Sequence, residues 1–271
     1  MLRSLTSQLE VHLHSHCVAI ATKRLGKRAE ARQLIAVAPP SGAHVAGWVA
    51  SLTVLDACLD AAPQSGASVE FVVSDHFVRY GLIPWSPDVQ SSNEFNALGG
   101  AALHAIYGAM SAEWEIQVEH GGYRAAGLAC AMEQALISKI AQLCDKHALR
   151  LRKMQPLSTQ IFNRLRRTTG NDGLVAVVEH NRCILACIRN GAWHSIRALS
   201  VGLGAANALD VLIERELVLQ GLDQDIPIHV HAVAGTDISA TSRFFNAVLT
   251  QDLHWQVPAA APAMDAQSAQ A

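Results

Sequence analysis

The chain has 271 residues, half of them hydrophobic and only 16% charged, which is ample material for one large core or two ordinary ones and excludes disorder of the main body. A formal net charge of −2 supplies no global field of the kind that draws a protein to nucleic acid or to an anionic membrane. The six cysteines, at 17, 58, 130, 144, 183 and 187, lie scattered in apolar patterns and indicate no disulfide framework. The opening MLRSLTSQLE has no apolar signal core, and no run approaches the roughly 18 apolar residues of a membrane span, so a cytoplasmic protein is expected.

Apolar and polar residues alternate over Leu9–Thr22, turn through the charged stretch 23–28 and resume at Ala31–Ala38, which is hairpin or meander grammar. Val45, Val49, Leu52, Leu55 and Leu59 then predict a helix over Ala43–Ala62, followed by a strand at Ser68–Ser74. Next come a strand at Phe77–Ile83, a helix at Ser91–Met110, and strands at Trp114–His120 and Tyr123–Ala131 around Gly121-Gly122. A helix from Glu133 to about His147, a strand at Leu149–Lys153 and a helix at Ser158–Arg167 lead to the turn-rich segment 168–173, the best internal boundary.

From Leu174 the pattern restarts, with strands at Leu174–Glu179, Arg182–Arg189 and Trp193–Leu199, a helix at Ala205–Gln220, a strand at Ile226–Val233 and a helix at Ile238–Leu249. Both halves thus carry three meandering strands, a helix and a strand, an architectural repeat without a residue-level one. The Ala-, Pro- and Gln-rich stretch Pro258–Ala271 predicts a disordered tail.

This repeated plan resembles the ribonuclease-H-like lobes of the actin-like superfamily that includes actin, Hsp70 and sugar kinases. The segment Val69–Trp85, a helix, and then Trp114–Val118 resembles the subdomain inserted in PilM of type IV pilus assembly and GspL of type II secretion. The resemblance implies an α/β fold of two mixed-sheet lobes. It places a first lobe at 1–156 with an insertion at about 76–150, a second lobe at 157–257, and the tail at 258–271.

An active member of the superfamily needs Asp-x-Gly turns between the first two strands of each lobe, where glycine lets backbone amides approach phosphate and aspartate organises metal and water. Here the first turn reads Val11-His12-Leu13-His14-Ser15-His16 and the second Val177-Val178-Glu179-His180-Asn181-Arg182-Cys183. Neither has the glycine, and only Glu179 offers an acid. A degenerate echo of the adenosine turn survives at Gly235-Thr236. No cofactor is expected, and ATP binding should be weak or absent.

The sharpest chemical signal is the row His12, His14 and His16, which share one face of an extended segment. With His229 and His231 it allows a rival reading, a metal-dependent hydrolase or phosphoesterase, although a metal site needs convergent ligands and second-shell partners. Cys183 and Cys187 share a strand face and predict core packing. Asp75-His76 invites a triad with a serine, but no Gly-x-Ser-x-Gly elbow occurs. Gly202-Leu203-Gly204 predicts a helix-entry turn, and the basic residues between Lys146 and Arg167 a solvated face or an acidic docking surface.

The leading expectation is a non-catalytic actin-like scaffold, a pseudo-ATPase acting at the inner face of the inner membrane. Its partner would be the cytoplasmic tail of an inner-membrane assembly protein, with Phe77, Arg79, Tyr80 and Trp85 nearest to that peptide. An active nucleotide phosphotransferase with divergent loops is the third reading.

Overall fold

The computed structural model describes residues 7–24, 31–38, 46–89, 91–165, 170–201, 208–223, 225–233 and 247–251. Strands β1 (Ser7–Leu13), β2 (Cys17–Arg24) and β3 (Ala31–Ala36) form an antiparallel meander, and helix α1 (Gly47–Ala61) returns the chain to β4 (Ser68–Val73), parallel to β1. A single 3-10 turn at Asp75–Phe77 leads to β5 (Val78–Ile83). Helix α2 (Ser92–Tyr107) follows, then β6 (Trp114–Glu119) and β7 (Gly127–Glu133). Helix α3 (Gln134–Lys146) precedes β8 (Arg150–Pro156), which joins β4 in parallel, so the first sheet runs β3-β2-β1-β4-β8.

Helix α4 (Leu157–Leu165) crosses to β9 (Gly173–Glu179), β10 (Arg182–Arg189) and β11 (Ala192–Ser200), a second antiparallel meander. Helix α5 (Ala208–Gln220), β12 (Ile228–Ala232) and β13 (Ala247–Gln251) complete a sheet of order β11-β10-β9-β12-β13, the same permutation as the first. The chain is therefore a mixed α/β protein of two ribonuclease-H-like lobes. The segment between β4 and α3 forms its own antiparallel sheet, β5-β7-β6.

The residues explain these elements. Every position of β9 is buried, as a central strand covered on both faces requires. In α3 Leu136, Ile140, Leu143 and Cys144 recur at helical spacing and face the core. Ser91 and Glu94 close a reciprocal capping box on α2, which ends where Gly108 takes a positive φ of 68°. Phe95 and Leu103 of α2 then pack on Ile83, Ala129 and Ala131 of the inserted sheet.

One hydrophobic core runs through both lobes. It joins Leu9, Val11 and Leu13 of β1 and Leu157, Ile161 and Leu165 of α4 to Val175 and Val177 of β9 and Ile184 and Ala186 of β10. The opposite face of the second sheet packs on Leu209, Ile213 and Leu217 of α5, and Cys183 and Cys187 lie within that cluster. The inserted sheet also touches the second lobe through an isolated bridge between Ala126 and Trp193.

Of the boundaries that differ from the sequence reading, three change where a residue sits. Phe77 ends the 3-10 turn and does not begin β5, and residues 123–126 precede β7 instead of opening it. The helix expected over Ile238–Leu249 meets a strand at its end, since Ala247–Gln251 pairs with β12 in parallel; a strand edge waiting to be paired overrides helical spacing. Residues 238–246, Gly202 and Gly204, Arg166 and Arg167, the adenosine-turn candidates Gly235 and Thr236, and the tail 258–271 lie outside the described residues.

Candidate functional site at the lobe junction

The β1–β2 and β9–β10 turns lie at one place. The β1–β2 turn is closed by His14 N–H donating to the Cys17 carbonyl at 2.9 Å and is held from α1 by Ser51 Oγ, which donates to the His14 carbonyl at 2.7 Å. The β9–β10 turn, His180-Asn181, meets it directly, for the His16 and His180 rings stack with centroids 5.0 Å apart. Between them lies Glu179, only 1% exposed. Its carboxylate accepts a short hydrogen bond from the Ser74 hydroxyl, and its Oε1 stands 3.5 Å from His14 Nδ1.

Behind Glu179 sits a second acid. Asp75, 1% exposed, follows β4 and accepts hydrogen bonds from the Tyr80 hydroxyl at 2.5 Å and from the backbone N–H and hydroxyl of Ser158 at 3.1 and 2.5 Å. Ser158 opens α4, so Asp75 satisfies a first-turn amide that the helix leaves without a partner and meets its positive end. Burial, and then the charge of Glu179, nevertheless push the Asp75 carboxyl up to about 7, with the Ser158 and Tyr80 hydrogen bonds opposing. Burial disfavours ionisation of Glu179 too, but His14, the Ser74 hydroxyl and the nearby His76 outweigh it and hold its carboxyl below the usual range. The two acids thus divide their states: Glu179 is the anion and Asp75 retains its proton more readily.

The histidines around this pair are starved of water. Burial, then the charge of His14, lowers His16 to about 4, and burial also lowers His76. His14 Nδ1, His16 Nδ1, His76 Nε2 and Glu179 Oε1 are all buried without a hydrogen-bond partner. His12 stands one step further along β1, its ring 5.9 Å from that of His14 and its Nε2 3.1 Å from Glu10 Oε1. His229 and His231 are buried on β12 of the second sheet.

The triad suggested by Asp75-His76 is not assembled, because Ser158 donates straight to the Asp75 carboxylate with no imidazole between them. Among the described residues, the one set of three metal-ligating atoms already within 4.8 Å of one another is elsewhere, at Asp56, Asp60 and His147. There Lys146 Nζ already bridges Asp56 at 2.7 Å and Asp60 at 3.2 Å, and His147 Nε2 lies 2.7 Å from Asp56.

The four residues expected to face a partner separate. Phe77 is half-buried beside Gly47, and the Arg79 guanidinium donates to the carbonyls of His76 and Val78 at 3.0 Å. Tyr80 is buried and belongs to the junction through Asp75. Trp85 is exposed at the far end of the insertion, edge-on to exposed Tyr123 at 5.6 Å, beside a cavity of about 300 Å³ that reaches Phe95 and His120. A second cavity, about 270 Å³, lies where Thr159 and Phe162 of α4 meet Leu128 of the insertion and Trp193 of the second lobe. Sequence reasoning passed over Ser74 and Ser158; the signal available was a Ser-Asp-His run directly after the apolar β4, a polar cluster where a buried strand ends.

No family model and no curated protein matches the chain. Solved structures do. A Bacteroides thetaiotaomicron protein with an actin-like ATPase fold and unknown function aligns over 92% of each chain at 9% identity and a TM-score of 0.62. The PilM–PilN type IV pilus biogenesis complex aligns over 90% of this chain and 88% of that one, at 13% identity and 0.59. The cytoplasmic domain of EpsL, an inner membrane component of the type II secretion system of Vibrio cholerae, aligns over 94% and 90%, at 12% and 0.54. At these identities the likeness establishes the fold, which is actin-like. Among the described residues no helix is long and apolar enough to cross a membrane.

Proposed function

From an actin-like chain whose phosphate turns carry histidine and asparagine, we propose a non-catalytic docking protein. It works at the cytoplasmic face of an assembly platform of the type IV pilus or type II secretion kind and binds the cytoplasmic tail of a membrane protein. The observation that carries this reading is the junction itself, where a buried carboxylate, Glu179, meets His14 and Ser74 beside the two turns. A buried carboxylate there repels the phosphates that an amide-lined glycine turn would attract. The chain has a separate β5-β7-β6 sheet, and the likeness to PilM in complex with PilN and to the EpsL cytoplasmic domain supports a role in holding a partner.

Trp85 is the docking residue most open to a peptide, with Phe77 and Arg79 on the lobe-facing side of the insertion. The experiment is crosslinking in membranes followed by purification of the full chain. The expected product is a membrane protein whose recovery is abolished by deleting its short cytoplasmic tail and is reduced by Trp85→Ala with Tyr123→Ala. Recovery of no membrane protein, or recovery that ignores the tail, would remove the proposal.

A further inference from the structure

Four unpartnered, buried ligand atoms at one place need an explanation beyond docking. Buried polar atoms are almost always satisfied, and each one left bare is destabilising. His14 Nδ1 and Glu179 Oε1 face each other at 3.5 Å without forming a hydrogen bond. That separation is the edge of a tetrahedral zinc site, where bonds of about 2.0–2.1 Å to nitrogen and about 2.0–2.2 Å to oxygen set adjacent ligand atoms about 3.3–3.5 Å apart. Two more buried nitrogens, His16 Nδ1 and His76 Nε2, lie close by: the His16 ring centroid stands 5.9 Å from that of His14, and the His76 backbone N–H donates at 3.2 Å to Ser74 Oγ, whose hydroxyl donates to Glu179.

We propose that His14, His16, His76 and Glu179 form a zinc site that fastens the two lobes together, with three ligands from the first lobe and one from the second. The His14–Glu179 edge already stands at bonding separation, and closing the site requires the His16 and His76 rings to turn inward, since no three of these four ligand atoms yet lie within 4.8 Å of one another. Several backbone contacts fix the frame on which the rings turn. Ser51 holds the His14 carbonyl, Val37 N–H donates to the His16 carbonyl at 2.8 Å, and Ser74 N–H donates to the Leu13 carbonyl at 2.9 Å. Ser74 also steadies the other carboxylate oxygen of Glu179, the kind of outer hydrogen bond that orients a ligating carboxylate. Four protein ligands leave no open position for an activated water, so this zinc is structural and differs from the hydrolytic centre that His12, His14 and His16 alone would suggest.

The test uses the full, untagged chain, stripped with a chelator, dialysed and titrated with zinc alone. The expected results are one zinc per chain by elemental analysis and a rise in Tm that EDTA reverses. With cobalt(II) in place of zinc, the strong visible absorption of a four-coordinate ion is expected. His16→Ala and His76→Ala should each weaken zinc binding at least about tenfold. His194→Ala, an exposed site on β11, and Asp56→Ala, in the separate carboxylate cluster, should bind as the unaltered chain does. Absence of stoichiometric zinc, loss of binding on Asp56→Ala, or the faint spectrum of six-coordinate cobalt overturns the proposal. The cobalt spectrum is read on the unaltered chain and decides the matter even where a histidine variant fails to fold.

Discussion

At the scale of residues, Asp75 and His16 pull the stability of the junction in opposite directions with pH. A carboxyl raised from its ordinary value to about 7 binds its proton more tightly in the folded state. Its contribution is full below about pH 4 and is lost as pH rises through about 7. A histidine lowered to about 4 does the reverse, contributing above its ordinary value and losing that contribution as pH falls towards 4. The slopes oppose each other over the same window, so each partly offsets the other. Asp75→Asn removes one slope, and its Tm should rise relative to the unaltered chain as pH goes from 4 to 7; a parallel pair of curves would refute the assignment. Glu179→Ala leaves the Ser74 hydroxyl buried without its acceptor, and denaturant unfolding should register a loss of about 1–3 kcal/mol.

At the scale of elements, the inserted sheet is the least tolerant of added volume. A Cβ on Gly127, at the start of β7, would stand 2.4 Å from the Phe95 ring and 2.7 Å from the Glu119 carbonyl oxygen. Gly127→Ala should cost about 1–3 kcal/mol and speed amide exchange in β6 and β7, while β9 and β10 keep their protection. Unchanged exchange in β6 would count against this packing. The strands that the sequence shows most clearly are those with an unbroken buried run or a two-residue turn, such as β9 and β10 around His180-Asn181. Residues 247–249 were misread because an edge strand takes its shape from the neighbour it pairs with, and pairing leaves no local period. Tyr80 is a docking candidate only through the family resemblance, and its burial against Asp75 had no local signal in the sequence.

At the scale of the whole molecule, the two lobes share one core, and their polar contacts converge beside the β1–β2 and β9–β10 turns. Absent glycines were visible in the sequence. That Glu179 of one lobe would reach Ser74 and His14 of the other was not, because 105 and 165 residues separate the partners along the chain and no local pattern encodes such a meeting. The proposed docking role requires that this junction, where Glu179, His14 and Ser74 meet, take no nucleotide. Thermal unfolding of the full chain with millimolar Mg-ATP tests it most directly. The account predicts an unchanged Tm; a ligand at about a hundred times its Kd would add about 2.7 kcal/mol, and a rise of several degrees with Mg-ATP would contradict the claim.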